Sequence, residues 1–212
     1  SESLVLYTTD KKIATITLNR PEKRNATNPA LYSALNAAIV QALGDNNVRV
    51  IVLTGNGPVF CAGQDLTFTL EATRQEFKEY MKVNLDTREL LRTMDKPVIA
   101  KINGDALGGG CYLATACDII IAASHARFAM REILIGMHSG GAHLFTVGRA
   151  RAMEINMTGR FFSAQEAEKW GLINTVVEAS ELSETTNEIS STLNCPLVNS
   201  VAGSRGIRLV PG

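Results

Sequence analysis

The chain has 212 residues, enough for one sizeable core, and its 21 Lys plus Arg balance 21 Asp plus Glu, for a net charge of zero. No basic excess points to nucleic acid or an anionic membrane surface, and no apolar run approaches the ~20 residues that cross a bilayer. Cys61, Cys111, Cys117 and Cys195 and three histidines show no metal-ligand spacing, and the opening Ser-Glu-Ser-Leu-Val lacks the regions of a signal peptide, so reduced thiols in a cytoplasmic protein are expected.

Leu4 to Thr8 and Ile13 to Leu18 read as a hairpin around Asp10-Lys11-Lys12. Asn28 is the expected N-cap of a helix with Pro29 at its first position. Leu31, Leu35, Ala38, Ile39, Ala42 and Leu43 recur at helical spacing until Gly44 ends the run. Val48 to Thr54 is nearly all apolar and β-branched, the mark of a buried parallel strand, and Gly55-Asn-Gly-Pro is a loop. Thr73 to Met94 predicts a helix with Phe77, Met81, Leu85 and Leu91 as its apolar stripe. Pro97 to Ile102 and Asp118 to Ala123 predict strands on either side of a glycine turn and a short helix. Further on, Arg149 to Met157 predicts a helix, Ser163-Ala-Gln-Glu166 a capping box before another that Gly171 stops, Leu172 to Val177 a strand and Ser180 to Leu193 a helix. Alternating strands and helices argue for α/β layers around mostly parallel sheet.

Two glycine sites carry chemistry. Gly108-Gly109-Gly110 opens the short helix, so side chains are absent where the first N–H groups lack intrahelical acceptors and the helix dipole favours negative charge. Glycine there costs conformational entropy, which points to close approach by another group. No Gly-Lys-Ser/Thr and no G-x-G-x-x-G follows, so an oxyanion developing during a reaction fits better than a phosphate. The second site is Val59-Phe-Cys-Ala-Gly-Gln-Asp65, where the amide of Gln64 is a candidate to face the same space as that of Gly109. Two such amides form an oxyanion hole in which the loss of one donor costs about 3 kcal/mol in barrier. Spacing alone does not bring them together.

Asn19-Arg-Pro-Glu-Lys-Arg-Asn-Ala26, Phe60-Cys-Ala-Gly-Gln-Asp65, Asn103-Gly-Asp-Ala-Leu-Gly-Gly-Gly-Cys111, Glu132-Ile-Leu-Ile-Gly136, Thr158-Gly-Arg and Ala164-Gln-Glu-Ala-Glu-Lys-Trp-Gly-Leu-Ile-Asn174 occur in one order. Together they resemble the signatures of the crotonase superfamily, the enoyl-CoA hydratases and isomerases, over about residues 4 to 178. The resemblance implies an α/β fold: a ββα spiral core over residues 1–178, then the start of a helical C-terminal region over 179–212 that stops short of the family's final helices. It implies an acyl-CoA substrate with no permanently bound cofactor, and assembly as a homotrimer or dimer of trimers. Gln64 and Gly109 then hold the thioester oxygen, and Asn25, Ala26, Ala62 and Leu66 lie where the family's CoA contacts fall. Arg24 is either a CoA-phosphate contact or a solvated surface charge.

The chain departs from that pattern at one carboxylate. Where the two-carboxylate hydratases carry Glu after Gly-Gly-Gly-Cys, this sequence has Tyr112. Glu132 fits the second carboxylate. One acid can take a proton from one carbon and return it at another, so Glu132 as a shuttle base of raised pKa favours double-bond isomerisation over hydration. A hydratase with a non-standard second acid or base, and a silent acyl-CoA-binding subunit, are the alternatives. Tyr112 reads first as an apolar plug, next as a hydrogen-bond donor, and least as a base, because a free phenol titrates near pH ~10. His138 and His143 follow in a glycine-rich loop as surface groups or acid–base candidates. Ser139 lacks the G-x-S-x-G elbow of a hydrolase, and the stretch from Gly136 to Gly148 is a few residues shorter than the family's.

Overall fold

The structure, a computed structural model, describes residues 3–137 and 144–194. β1 (Val5–Asp10) and β2 (Ile13–Leu18) form the expected antiparallel hairpin. Lys11 and Lys12 close it in two residues, both at positive φ (46° and 68°), a turn whose hand matches strand twist. α1 (Pro29–Gly44) starts where Asn28 accepts a hydrogen bond from the Leu31 N–H at 2.9 Å, and buries Leu31, Leu35, Ala38, Ile39 and Ala42 as the spacing requires.

The next elements alternate between two sheets. β3 (Val50–Gly55) precedes β4 (Val59–Cys61), α2 (Leu66–Glu71) and α3 (Arg74–Thr93). β5 (Val98–Ile102) precedes β6 (Asp105–Leu107) and α4 (Gly109–Thr115). β7 (Ile119–Ala123) precedes β8 (Arg127–Ala129) and a 3-10 turn over Arg131–Ile135. Each ββα turn thus adds one strand to each sheet, giving the orders β1-β2-β3-β5-β7-β10 and β4-β6-β8-β9. After α5 (Leu144–Val147) and α6 (Arg149–Thr158) come β9 (Phe162–Ser163), α7 (Ala164–Lys169), β10 (Thr175–Val177) and α8 (Leu182–Leu193). The capping box at Ser163 and Glu166 is formed in both directions.

β3 is buried along its whole length because both faces of the larger sheet are covered. Ile51 and Leu53 point into the main core with α1, while Val50 and Val52 join Ile99, Ile121 and Leu182 on the opposite face. Period-2 alternation sends neighbouring side chains to opposite faces, so a strand apolar at every position needs two covers. α8, from the 179–212 segment, supplies the second cover with Leu182, Ile189 and Leu193.

α3 forms where predicted, and Phe77, Met81 and Leu91 of its apolar stripe pack against the core. Leu85 departs from it at 54 % exposed, and Tyr80, Asn84 and Thr87 are buried instead. Hydrogen bonds let these polar groups face inward. The Tyr80 hydroxyl lies 2.8 Å from the Thr27 hydroxyl, and Thr87 Oγ1 donates to the Val83 carbonyl, so these polar groups are buried at little cost. Hydropathy spacing sees only the apolar part of such a face.

Candidate functional site

β4, β6 and β8 are parallel neighbours in the smaller sheet, so their C-terminal ends emerge side by side. The residues just beyond those ends are Ala62 to Asp65, Gly108 and Gly109, and Arg131, Glu132, Leu134 and Ile135, and they line one cavity of about 470 Å³. Ligands in α/β folds bind at this position, beyond the carboxyl ends of strands.

Hydrogen bonding of the surrounding backbone aims the two amides. Thr27 and Gln64 form a parallel bridge in which Thr27 N–H donates to the Gly63 carbonyl at 2.7 Å and Asp65 N–H to the Thr27 carbonyl at 2.9 Å. That pattern uses the groups on either side of Gln64 and turns the Gln64 N–H the other way. Gly109 is the first residue of α4, so its N–H has no intrahelical acceptor. A Cβ on Gly109 would sit 3.7 Å from Gln64 N, and one on Gly63 would sit 3.1 Å from Gly109 N and 2.6 Å from the Leu107 carbonyl oxygen. The two turns therefore adjoin, and Gly63 (φ +90°) must be glycine for them to do so.

Glu132 reaches the same place from β8. Gly108 N–H donates to the Ala129 carbonyl at 2.7 Å, tying the glycine turn to the end of that strand. The Glu132 carboxylate then lies over Gly108, where a Cβ would meet its Cδ and Oε1 at 2.9 Å. Its Oε2 is buried with no hydrogen-bond partner among the described residues. Burial pushes this carboxyl above its usual pKa, while its own backbone N–H and the Arg88 guanidinium partly offset the shift.

A second acid, Asp65, lines the cavity but is already engaged. Its carboxylate caps α2 through the Thr67 N–H at 3.0 Å and pairs with Arg20 at 2.6 Å. Burial opposes its charge, but Arg20 and the Thr67 and Phe68 N–H groups outweigh that and hold its pKa low. Arg20 also donates to the Ala26 carbonyl, so the pair pins the loop that carries Ala26 to the cavity rim. This ion pair escaped the sequence reading because its partners are 45 residues apart.

Of the expected CoA contacts, Ala26, Ala62 and Leu66 line the cavity, and Arg24 and Asn25 do not. Asn25 is fully buried, accepting from Arg20 N and donating to the Asn56 and Val59 carbonyls. Its side chain shapes the loop instead of facing a ligand. Arg24 turns outward at φ 52°, and its neighbour Lys23 reaches the cavity in its place, as does Arg131. The motif around Arg24 pointed to a cation there, but only the left-handed turn decides which one.

Tyr112 is not brought to Glu132's cavity. It is buried one turn along α4, in a neighbouring cavity beside Arg88. His138, Ser139, His143 and Cys195 lie outside the described residues. The other three thiols are buried, and burial pushes that of Cys61 up to about 12. Among the described residues no three His, Cys, Asp or Glu side chains gather to hold a metal, and no helix is long and apolar enough to cross a membrane.

Comparison with known proteins identifies the family and the fold. The profile of the enoyl-CoA hydratase/isomerase family matches residues 8–202. The chain is 36% identical to a short-chain-enoyl-CoA hydratase of Clostridium acetobutylicum, over 91% of this chain and 77% of that protein. It is 37% identical to a 1,2-epoxyphenylacetyl-CoA isomerase of Escherichia coli K12, over 88% and 74%. The crystal structure of an enoyl-CoA hydratase from Bacillus anthracis superposes with a TM-score of 0.89 at 34% identity, covering 94% of this chain and 81% of that one.

Proposed function

The chain belongs to the enoyl-CoA hydratase/isomerase family, and we propose that it moves a double bond of an enoyl-CoA thioester from the β,γ to the α,β position. One observation carries the reading: of the two acids lining the cavity, Asp65 is bound to Arg20, whereas Glu132 Oε2 has no hydrogen-bond partner among the described residues. In this reading the thioester oxygen accepts from Gln64 N–H and Gly109 N–H. Glu132 takes a proton from the α-carbon, and the electron pair passes into a dienolate whose charge rests on that oxygen. The same carboxyl returns the proton to the γ-carbon. A positioned base contributes about 10²–10⁴-fold and each amide about 3 kcal/mol. The thioester is substrate, and no step calls on a resident cofactor. Burial suits Glu132 to the task, because a raised pKa strengthens it as a base.

Hydration is the second reading, favoured by the names of relatives such as the Clostridium hydratase. It needs a second acid or base to handle water, and Tyr112 stands where the resemblance expects one. Ultraviolet assays on 3-hexenoyl-CoA and 2-hexenoyl-CoA separate the two. The expected result is conjugation of the 3-enoyl thioester, lowered at least ~100-fold in Glu132→Gln. Consumption of neither substrate refutes the reading and leaves a silent binder, and hydration that persists in Glu132→Gln refutes the assigned roles.

A further inference from the structure

A second cavity of about 490 Å³ follows the first along α4. The Tyr112 N–H donates to the Gly108 carbonyl at 3.1 Å, so Tyr112 stands one turn beyond the glycines and Thr115 nearly two. Facing them from α3 are Arg88 and Arg92. The Arg88 guanidinium carbon lies 4.9 Å from the Tyr112 ring centroid. Its Nε is buried and has no hydrogen-bond partner among the described residues, and neither does Asn84 Oδ1 one turn back on the same inward face. A buried donor left unpaired is unfavourable and gains from an acceptor. Among the described residues no carboxylate forms an ion pair with Arg88, although Asp118 and Glu89 share its cavity. Asp118 accepts from the Val98 N–H at 2.7 Å, and Glu89 is an exposed residue. Arg88 also lies within electrostatic range of Glu132.

Resting on the thioester reading above, we propose that this second cavity receives the far end of the acyl group and that Arg88 selects acyl-CoA thioesters bearing a distal carboxylate. The dimensions agree. At ~1.5 Å of rise per residue, Tyr112 and Thr115 lie roughly 5–9 Å along α4 from the Gly109 amide. An acyl chain of about six carbons, with bonds of ~1.5 Å, covers that distance. A guanidinium presents a planar fork that binds carboxylate at two points, and stacking on Tyr112 orients that plane without using its N–H edges. Tyr112 acquires a reason as well: glutamate there would neutralise Arg88, whereas a phenol ring keeps the cation available.

Titration calorimetry of the full chain with hexanedioyl-CoA and hexanoyl-CoA tests this without any turnover, since neither carries a double bond. The wild type is expected to bind the diacid thioester about tenfold more tightly or better. Arg88→Met should erase the preference for the diacid thioester, and Arg88→Lys should restore part of it. Equal wild-type affinities, a preference that survives Arg88→Met, or loss of both thioesters in both variants overturns the proposal. Turnover of 3-hexenoyl-CoA by the same wild-type sample separates the two ideas. If it isomerises while the saturated thioesters bind alike, only the Arg88 assignment falls. If neither thioester binds, the thioester reading falls with it.

Discussion

Gly108→Ala is the sharpest probe of the site. Gly108 sits at φ 50° and ψ −118°, a region that costs a side-chain-bearing residue about 1–3 kcal/mol. At roughly 2–4 °C per kcal/mol for a chain this size, the melting temperature should fall by several degrees with the fold retained. The new methyl meets Glu132 Cδ and Oε1 at 2.9 Å and Oε2 at 3.1 Å. Those atoms end a flexible side chain, so the carboxylate retreats and the backbone stays in place. A misplacement of about 1 Å costs on the order of 10²-fold, so a retreat of about half that should lower kcat on 3-hexenoyl-CoA by about 10-fold. KM should change far less, because the Gln64 and Gly109 amides are untouched. Gly110→Ala is the contrast: its methyl would lie 2.2 Å from the Cys61 carbonyl oxygen, a backbone clash that should prevent folding. Folded Gly108→Ala enzyme with kcat within threefold of wild type would refute the placement of Glu132 as the working base.

Stability against pH checks both acids. The folded pKa of Glu132 is raised, so its charged form opposes folding once pH passes the unfolded value. Glu132→Gln should therefore be more stable than wild type at pH 8 in urea unfolding, and the gap should close toward pH 4. Asp65 has the opposite sign: its lowered pKa contributes stability above the unfolded value that is lost as pH falls through the folded one. Asp65→Ala removes the short ion pair of the largely buried Arg20 and leaves it only Glu22 at 4.0 Å, so it should cost up to about 3 kcal/mol at pH 7. That cost should shrink as pH falls through the lowered folded pKa. A pH-independent difference in either variant would contradict the shift assigned to it.

Local chemistry made much of the chain legible in order. Asn28-Pro29 starts α1, Ser163 and Glu166 start α7, and Val50 to Thr54 can only be a strand covered on both faces. The motifs drew attention to Gln64, Gly109 and Glu132, which line one cavity. Three-residue strands such as β4, β6 and β8 left no readable pattern, because they hold too few residues for a period to emerge. The same limit hid the inward face of α3, whose Tyr80 and Thr87 are buried through partners elsewhere in the chain or within the helix.

Sequence by itself determined which residue types stand at each turn: glycine where backbone must approach backbone, one acid after β8, and tyrosine where the family resemblance leads one to expect another acid. Tertiary structure alone decided which groups meet. Parallel pairing of β4, β6 and β8 sets Gln64, Gly109 and Glu132 around one cavity, and the left-handed turn at Arg24 and Asn25 exchanges an expected cation for Lys23. Those outcomes depend on hydrogen bonds and sterics between segments distant in sequence, which no local spacing records.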